Sequence, residues 1–155
     1  MRAEVSAEID LDVPYDVVWD YFTDWPRQAE WIPFTRVEAL DSADRVGGTF
    51  RAWTGLGPLG FWDTMTITDW RPPAPGAGSA RCEVLHTGRV VRGEGEFAVT
   101  ALGPASSRFL WWERVEVPLG PVGAVGWKVG SGLFTRGIEH GLRRMRANLS
   151  QRPPG

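Results

Sequence analysis

Residues 4–22 read EVSAEIDLDVPYDVVWDYF, and this stretch is the most regular in the chain. From Val5 to Val13 every second residue is apolar, and the residues between them are mostly charged. This alternation predicts a β-strand with one buried face and one face in water. Pro14 follows directly and predicts the first turn of a helix, where proline is favoured. The chain is therefore expected to open with a strand that leads straight into a helix.

Two short helices are predicted after this strand. Residues 17–22 repeat apolar side chains at helical spacing, and the helix that they form is expected to end near Asp24. A second short helix is predicted from about Pro26 to Trp31. Pro33 ends it, because the residue before a proline disfavours helical backbone.

The middle of the chain consists of strand-like runs separated by short turns rich in glycine and proline. The predicted strands span 36–41, 48–53, 61–70, 80–86, 90–101 and 107–118. Strands joined by short turns favour an antiparallel meander over parallel βαβ units.

The C-terminal segment has helical periodicity instead. One broad apolar stripe carries Val125, Val129, Leu133, Ile138, Leu142, Met145 and Leu149. Five glycines interrupt the same segment, namely Gly126, Gly130, Gly132, Gly137 and Gly141. Each costs about 1 kcal/mol of helix propensity relative to alanine, which close approach to a sheet or space for a ligand would explain. Alternatively, residues 126–132 form a loop and the helix begins near Leu133.

The order of elements predicts one α+β domain over residues 1–150, with a flexible tail at 151–155. We expect a curved antiparallel sheet of about six or seven strands, wrapped around the long C-terminal helix. The nine tryptophans and nineteen glycines favour a lined hollow between sheet and helix. A solid core rich in tryptophan is the alternative.

Composition and motifs exclude several classes of function. The 155 residues carry a formal net charge of -2, so the chain lacks the positive charge that attracts nucleic acid. Cys82 is the single cysteine, and with two histidines neither a disulfide within the chain nor a metal site is expected. Motifs for nucleotide binding, metalloproteases and serine hydrolases are missing, and no cofactor is expected.

The N-terminus lacks the continuous apolar core of a signal peptide. No segment has the roughly 20 apolar residues that cross a bilayer. The sequence therefore predicts a cytoplasmic protein without integral membrane association, either a monomer or a homodimer.

Five short segments extend over nearly the whole chain: 13–21 (VPYDVVWDY), 31–33 (WIP), 69–73 (DWRPP), 107–113 (SRFLWWE) and 118–120 (PLG). In this order they resemble the START-like helix-grip superfamily, which includes pollen-allergen-type proteins, lipid-transfer START domains and polyketide cyclases/dehydrases. The resemblance implies a cavity between the sheet and the long helix. It does not select one activity, because fold alone does not determine function.

Glu113 is the first candidate for a polar group inside that cavity. It shares a strand face with Phe109, Trp111 and Val115, so it is predicted to point inward. A carboxylate among such residues loses hydration, which raises its pKa towards the range that an acid or base catalyst needs. Alternatively, a bulge turns Glu113 outward, or an arginine pairs with it.

His86 is the second candidate, on the same strand face as Val84. Because it lies at the end of its strand, it is either a base at the cavity mouth or, as we favour, an ordinary turn residue. Asp63 shares a face with Phe61 and Met65 on the preceding strand. Its position near the strand start favours contact with solvent.

The 90–101 strand is predicted to turn Val91, Gly93, Gly95, Phe97 and Val99 inward, with Gly93 and Gly95 widening the cavity. A shift of one residue in register would instead turn the charged residues of this strand inward. The complete predicted lining comprises Phe61, Asp63, Met65, Val84, Val91, Gly93, Phe97, Phe109, Trp111, Leu133 and Ile138.

The first functional hypothesis is binding of a small hydrophobic or amphipathic ligand, such as a lipid, a polyketide or an aromatic metabolite. The alternative is an enzyme resembling the polyketide aromatase/cyclases, with Glu113 as the acid or base and His86 behind it. A solid module that binds a partner protein is the third possibility.

Overall fold

The computed structural model describes the backbone of residues 2–116 and 120–151, and side chains within 2–116 and 130–151. Its elements are β1 (Arg2–Leu11), α1 (Tyr15–Thr23), a 3-10 helix (Trp25–Glu30), β2 (Thr35–Ala39), β3 (Thr49–Leu56), β4 (Leu59–Arg71), β5 (Ser79–Thr87), β6 (Arg92–Gly103), β7 (Ser106–Glu116) and α2 (Gly120–Ser150). The predicted tail beyond Gln151, and the side chains of Val125 and Val129, lie outside the described residues.

The seven strands form one antiparallel sheet in the order β1-β7-β6-β5-β4-β3-β2. Strands β2 to β7 follow each other as a meander, as the short turns predicted. β1 then pairs with β7 along its whole length, from Arg2 opposite Glu116 to Leu11 opposite Ser107. The helix-grip architecture predicted from the sequence is confirmed, with seven strands curving around α2.

The core lies between the inward face of the sheet and the helices. Apolar residues of the second half of α2 are buried there, including Ile138, Leu142 and Met145. Trp31, fully buried, packs edge-on against Phe109 and Trp111, with ring centroids 6.0 and 5.7 Å apart. At least one of the tryptophans, Trp31, therefore belongs to the solid core.

Helix α2 begins at Gly120, so the alternative of a loop over residues 126–132 is wrong. The glycines of α2 have different surroundings. A Cβ at Gly141 would lie 2.9 Å from the carbonyl oxygen of Trp31, so the helix approaches the chain closely there. A Cβ at Gly137 would meet no described atom within 4 Å. Among the helices that the structure describes, none combines the length and apolar character needed to cross a bilayer.

Candidate functional site

A cavity of about 470 Å³ lies between the inward face of the sheet and α2. Its surface is mainly apolar, and it falls in the size range of small-molecule sites. The predicted residues that line it are Phe61, Asp63, Met65, His86, Val91, Phe97, Trp111, Glu113, Leu133 and Ile138. The inward orientation of Phe97, with Glu94 exposed on the other face, excludes the shifted register of β6.

Three residues predicted to line the cavity do not reach it. Phe109 is fully buried against Phe22, with ring centroids 5.1 Å apart, and belongs to the solid core. Val84 is likewise buried. Gly93 has a φ of 141°, and a side chain there would collide with the carbonyl oxygen of Arg114. Glycine at this position therefore allows the backbone conformation and the close approach to Arg114, and it does not widen the cavity.

Asp63 and His86 form a buried pair in the cavity wall. The Nδ1 atom of His86 lies 2.8 Å from Oδ2 of Asp63. His86 is only 5% exposed and Asp63 only 8% exposed. The favoured interpretations of His86 as a turn residue and of Asp63 as solvated are therefore wrong. β4 begins at Leu59, two residues earlier than predicted, which places Asp63 inside the strand. β5 continues to Thr87, so His86 also lies within the sheet.

The imidazole of His86 keeps its proton to a higher pH than an ordinary histidine does. Burial lowers the pKa of His86, but the hydrogen bond and charge of Asp63, with the charge of Glu113, outweigh it and raise the pKa above its ordinary value. Because the Asp63 carboxylate accepts the hydrogen bond, Nδ1 of His86 carries a hydrogen and Nε2 gains or loses the mobile proton. Nε2 is buried without a hydrogen-bond partner among the described residues.

Glu113 completes the polar part of the cavity. It pairs in register with Val5 of β1 and Gly95 of β6, without a bulge, and it lines the cavity. Its Oε1 accepts a hydrogen bond of 2.8 Å from Nε1 of Trp111, and no arginine among the described residues pairs with it. The inward orientation is therefore the one found, and both alternatives are wrong.

The surroundings of Glu113 favour its neutral form. Burial raises the pKa of Glu113, and the charge of His86 and the hydrogen bond from Trp111 only partly offset this effect. The carboxyl group consequently keeps its proton to a higher pH than an exposed glutamate does. Such a group can donate a proton to a ligand and take one back.

Gly95 allows these groups to approach each other. It lies on β6, between the strands of His86 and Glu113. A Cβ at Gly95 would lie 3.2 Å from Nε2 of His86 and 3.7 Å from Cγ of Glu113. A side chain there would therefore press against His86 and occupy the space beside both titratable groups.

Other lining residues had no distinguishing pattern in the sequence. Thr35 and Thr54 line the cavity from β2 and β3, and Phe34 lines it from the turn before β2. Threonine is common in strands, so only the register of β2 with β3 shows that Thr35 and Thr54 lie together at the cavity. Within the part of the chain that the structure describes, no three metal-binding side chains come together.

Several solved structures share this fold. The Zhui aromatase/cyclase from Streptomyces sp. R1128 is similar with a TM-score of 0.74 and 15% identity, covering 98% of this chain and 96% of that one. A START superfamily protein from Mycobacterium smegmatis has a TM-score of 0.67 and 17% identity, covering 94% and 98%. The di-domain aromatase/cyclase BexL has a TM-score of 0.64 and 16% identity, covering 96% of this chain and 46% of that one.

No curated protein sequence matches the chain. The family model for polyketide cyclase / dehydrase and lipid transport matches residues 2–150, which is nearly the whole sequence. On this match the chain belongs to the polyketide cyclase / dehydrase and lipid transport family.

Proposed function

We propose that this protein binds a small hydrophobic or amphipathic molecule in the cavity and transfers protons to and from a carbonyl group of that molecule. The reaction class is that of a polyketide aromatase/cyclase. The observation that carries the proposal is the Glu113 carboxyl group, which lines an apolar cavity, has a raised pKa and lies beside the buried His86–Asp63 pair.

In this proposal Glu113 is the group that touches the ligand. The neutral carboxyl donates its proton to the ligand's carbonyl oxygen, and the resulting carboxylate is stabilised by the positive charge of His86 and the N–H of Trp111. The carboxylate then removes a proton from the carbon next to the carbonyl, which restores the acid. The apolar walls hold the rest of the molecule folded and exclude water.

His86 and Asp63 have a supporting role. Asp63 orients the imidazole and favours its charged form, so the positive charge lies next to Glu113 when the carboxylate forms. Fixed charges of this kind stabilise a developing carboxylate or oxyanion without reorganisation.

The test uses α-tetralone, a bicyclic ketone, and follows by NMR the exchange of the hydrogens next to its carbonyl for deuterium. We expect the protein to accelerate the exchange over buffer, and Glu113→Gln to reduce that acceleration by about 100-fold while α-tetralone still binds. Glu94→Gln, at an exposed glutamate on the outer face of β6, is the matched control and should exchange at the wild-type rate.

A carrier without catalysis is the second candidate, and the mainly apolar lining of the cavity favours it. Binding of α-tetralone without faster exchange would support the carrier and refute the enzyme. Failure of the protein to bind either α-tetralone or an apolar fluorescent probe would refute both.

A further inference from the structure

Thr35 and Thr54 form a second polar point in the cavity, away from Glu113. They lie opposite each other in the register of β2 and β3, and both line the cavity. In the sheet order, β3 is separated from the strand of Glu113 by three strands. At about 4.8 Å per strand, that is roughly 19 Å along the sheet, and the curvature of the sheet shortens the direct path.

The two hydroxyl groups form a chain with a defined direction. The Thr35 hydroxyl donates to the carbonyl oxygen of Pro33 at 3.0 Å. A hydroxyl has one hydrogen, and a carbonyl oxygen can only accept, so the Thr35 hydrogen is committed. The contact of 3.2 Å between Oγ1 of Thr35 and Oγ1 of Thr54 therefore requires Thr54 to donate.

Thr54 then has no hydrogen left for a ligand. Its oxygen keeps lone pairs that no donor among the described residues occupies. A ligand carbonyl or ether oxygen finds only an acceptor there, whereas a ligand hydroxyl can donate to it.

The backbone turn at Phe34, next to these hydrogen bonds, is held in place by a contact of its own. Phe34, between Pro33 and Thr35, has a φ of 56°, a left-handed conformation that is uncommon for a residue other than glycine. The carbonyl oxygen of Phe34 accepts a hydrogen bond of 3.0 Å from the backbone N–H of Gly55. Unfavourable backbone conformations of this kind persist where surrounding contacts determine them, and they cluster at binding sites.

We infer that Thr54 is a specificity-determining residue that accepts a hydrogen bond from a hydroxyl group at the end of the ligand remote from the reacting carbonyl. The inference rests on the proposed function, because it assumes that a ligand occupies the cavity. It narrows the ligand to an elongated apolar molecule with a hydrogen-bond donor, such as a phenol, at its remote end.

The experiment compares two rod-shaped probes, a stilbene with a hydroxyl group at each end and its dimethyl ether. Both ends of the first probe can donate, whereas the ether can only accept. Dissociation constants are measured by fluorescence for the wild type, Thr54→Val and Thr35→Val. The extra methyl groups of the ether affect all three proteins alike, so the comparison between proteins isolates the hydrogen bond.

The two variants should change different constants. Thr54→Val removes the acceptor, so the Kd of the dihydroxy probe should rise about fivefold while the Kd of the ether stays constant. Thr35→Val releases the Thr54 hydrogen to donate to a ligand, so the Kd of the ether should fall about fivefold and that of the dihydroxy probe should hardly change. Valine keeps the shape and the β-branch of threonine, and wild-type unfolding midpoints would verify that both variants fold.

Failure of the inference differs from failure of the proposed function. If both probes bind the wild type and neither variant changes either constant, the role of Thr54 is wrong and the cavity function stands. Equal weakening of both probes by Thr54→Val would also overturn the role, because loss of shape would then explain it. If neither probe binds the wild type, both ideas fail.

Discussion

Gly137 and Gly141 provide a direct test of how α2 rests on the rest of the molecule. They lie one helical turn apart, so replacing each by alanine changes the same helix in the same way. Their surroundings differ. A Cβ at Gly137 would meet no described atom within 4 Å, whereas a Cβ at Gly141 would lie 2.9 Å from the backbone carbonyl oxygen of Trp31 and 3.5 Å from Cδ of Pro33.

The expected magnitudes follow from these contacts. Alanine is about 1 kcal/mol more favourable than glycine inside a helix, so Gly137→Ala should raise the free energy of unfolding by about that amount. For a chain of this length the melting temperature should rise by about 2–4 °C. Gly141→Ala gains the same propensity, but overpacking costs about 1–3 kcal/mol because Trp31 is fully buried and the contacted atom belongs to the backbone. Gly141→Ala should therefore be about 1–3 kcal/mol less stable than Gly137→Ala.

Equilibrium unfolding in urea, followed by tryptophan fluorescence, measures both free energies. Gly132→Ala is the control, since a Cβ there also meets no described atom within 4 Å, and it should match Gly137→Ala. If Gly141→Ala were at least as stable as the other two variants, α2 would not lie against Trp31 as described, and the position of the cavity beneath α2 would be in error.

Three further predictions concern the titratable groups. Asp63→Asn removes the charge that opposes the effect of burial, so the pKa of His86 should fall, as measured by an NMR titration of the imidazole after His140→Gln removes the second signal; an unchanged titration would contradict the pairing. The raised pKa of Glu113 means that its contribution to stability is present below the ordinary value of 4.5 and is lost as the pH rises through the folded-state value. Just above pH 4.5 the free energy of unfolding of Glu113→Gln should therefore vary less with pH than that of the wild type, and parallel curves would argue against a raised pKa of Glu113. Burial raises the pKa of Cys82 to about 12, so its thiol should react with a disulfide reagent at pH 8 only when the protein unfolds, and rapid reaction of the native protein would refute its burial.

The fold was predictable because its periodic patterns are long. The alternation from Val5 to Leu11 indicates a half-buried strand, and the apolar stripe of α2 indicates a helix. An error of one or two residues at a strand end does not disturb such patterns. The inward orientation of Glu113 was predictable for the same reason, since Phe109 and Trp111 establish the face of β7 before it.

The partners of Glu113 were not predictable, because they depend on neighbouring strands. Asp63 meets His86 only through the pairing of β4 with β5, where Met65 lies opposite His86. Neither strand end was known closely enough from the sequence, and two residues of extra strand convert a solvated carboxylate into a buried one. The Thr35–Thr54 contact depends in the same way on the register of β2 with β3.

The sequence also could not predict which inward-facing residues line the cavity and which are buried in the core. Val84 and Phe109 lie on the correct faces of their strands, yet they contact core residues and not the cavity. A strand face in a curved sheet passes from cavity to core along its length, and alternation reports only which side a residue faces. The packing of α1 against Phe109 determines where the core begins.

The pairing of β1 with β7 has a consequence for synthesis on the ribosome. Arg2 pairs with Glu116, so the start of β1 has no partner until more than a hundred further residues have been made. At about 5–20 residues per second, β1 waits on the order of ten seconds, and non-local pairing of this kind slows folding. During that time Glu4, Glu8 and Asp10 repel strands of other newly made chains, as edge charges do in native sheets. Two of these carboxylates, Glu4 and Asp10, later pair with Arg114 and Arg108 of the arriving strand, so the charges that delay wrong partners also select the right one.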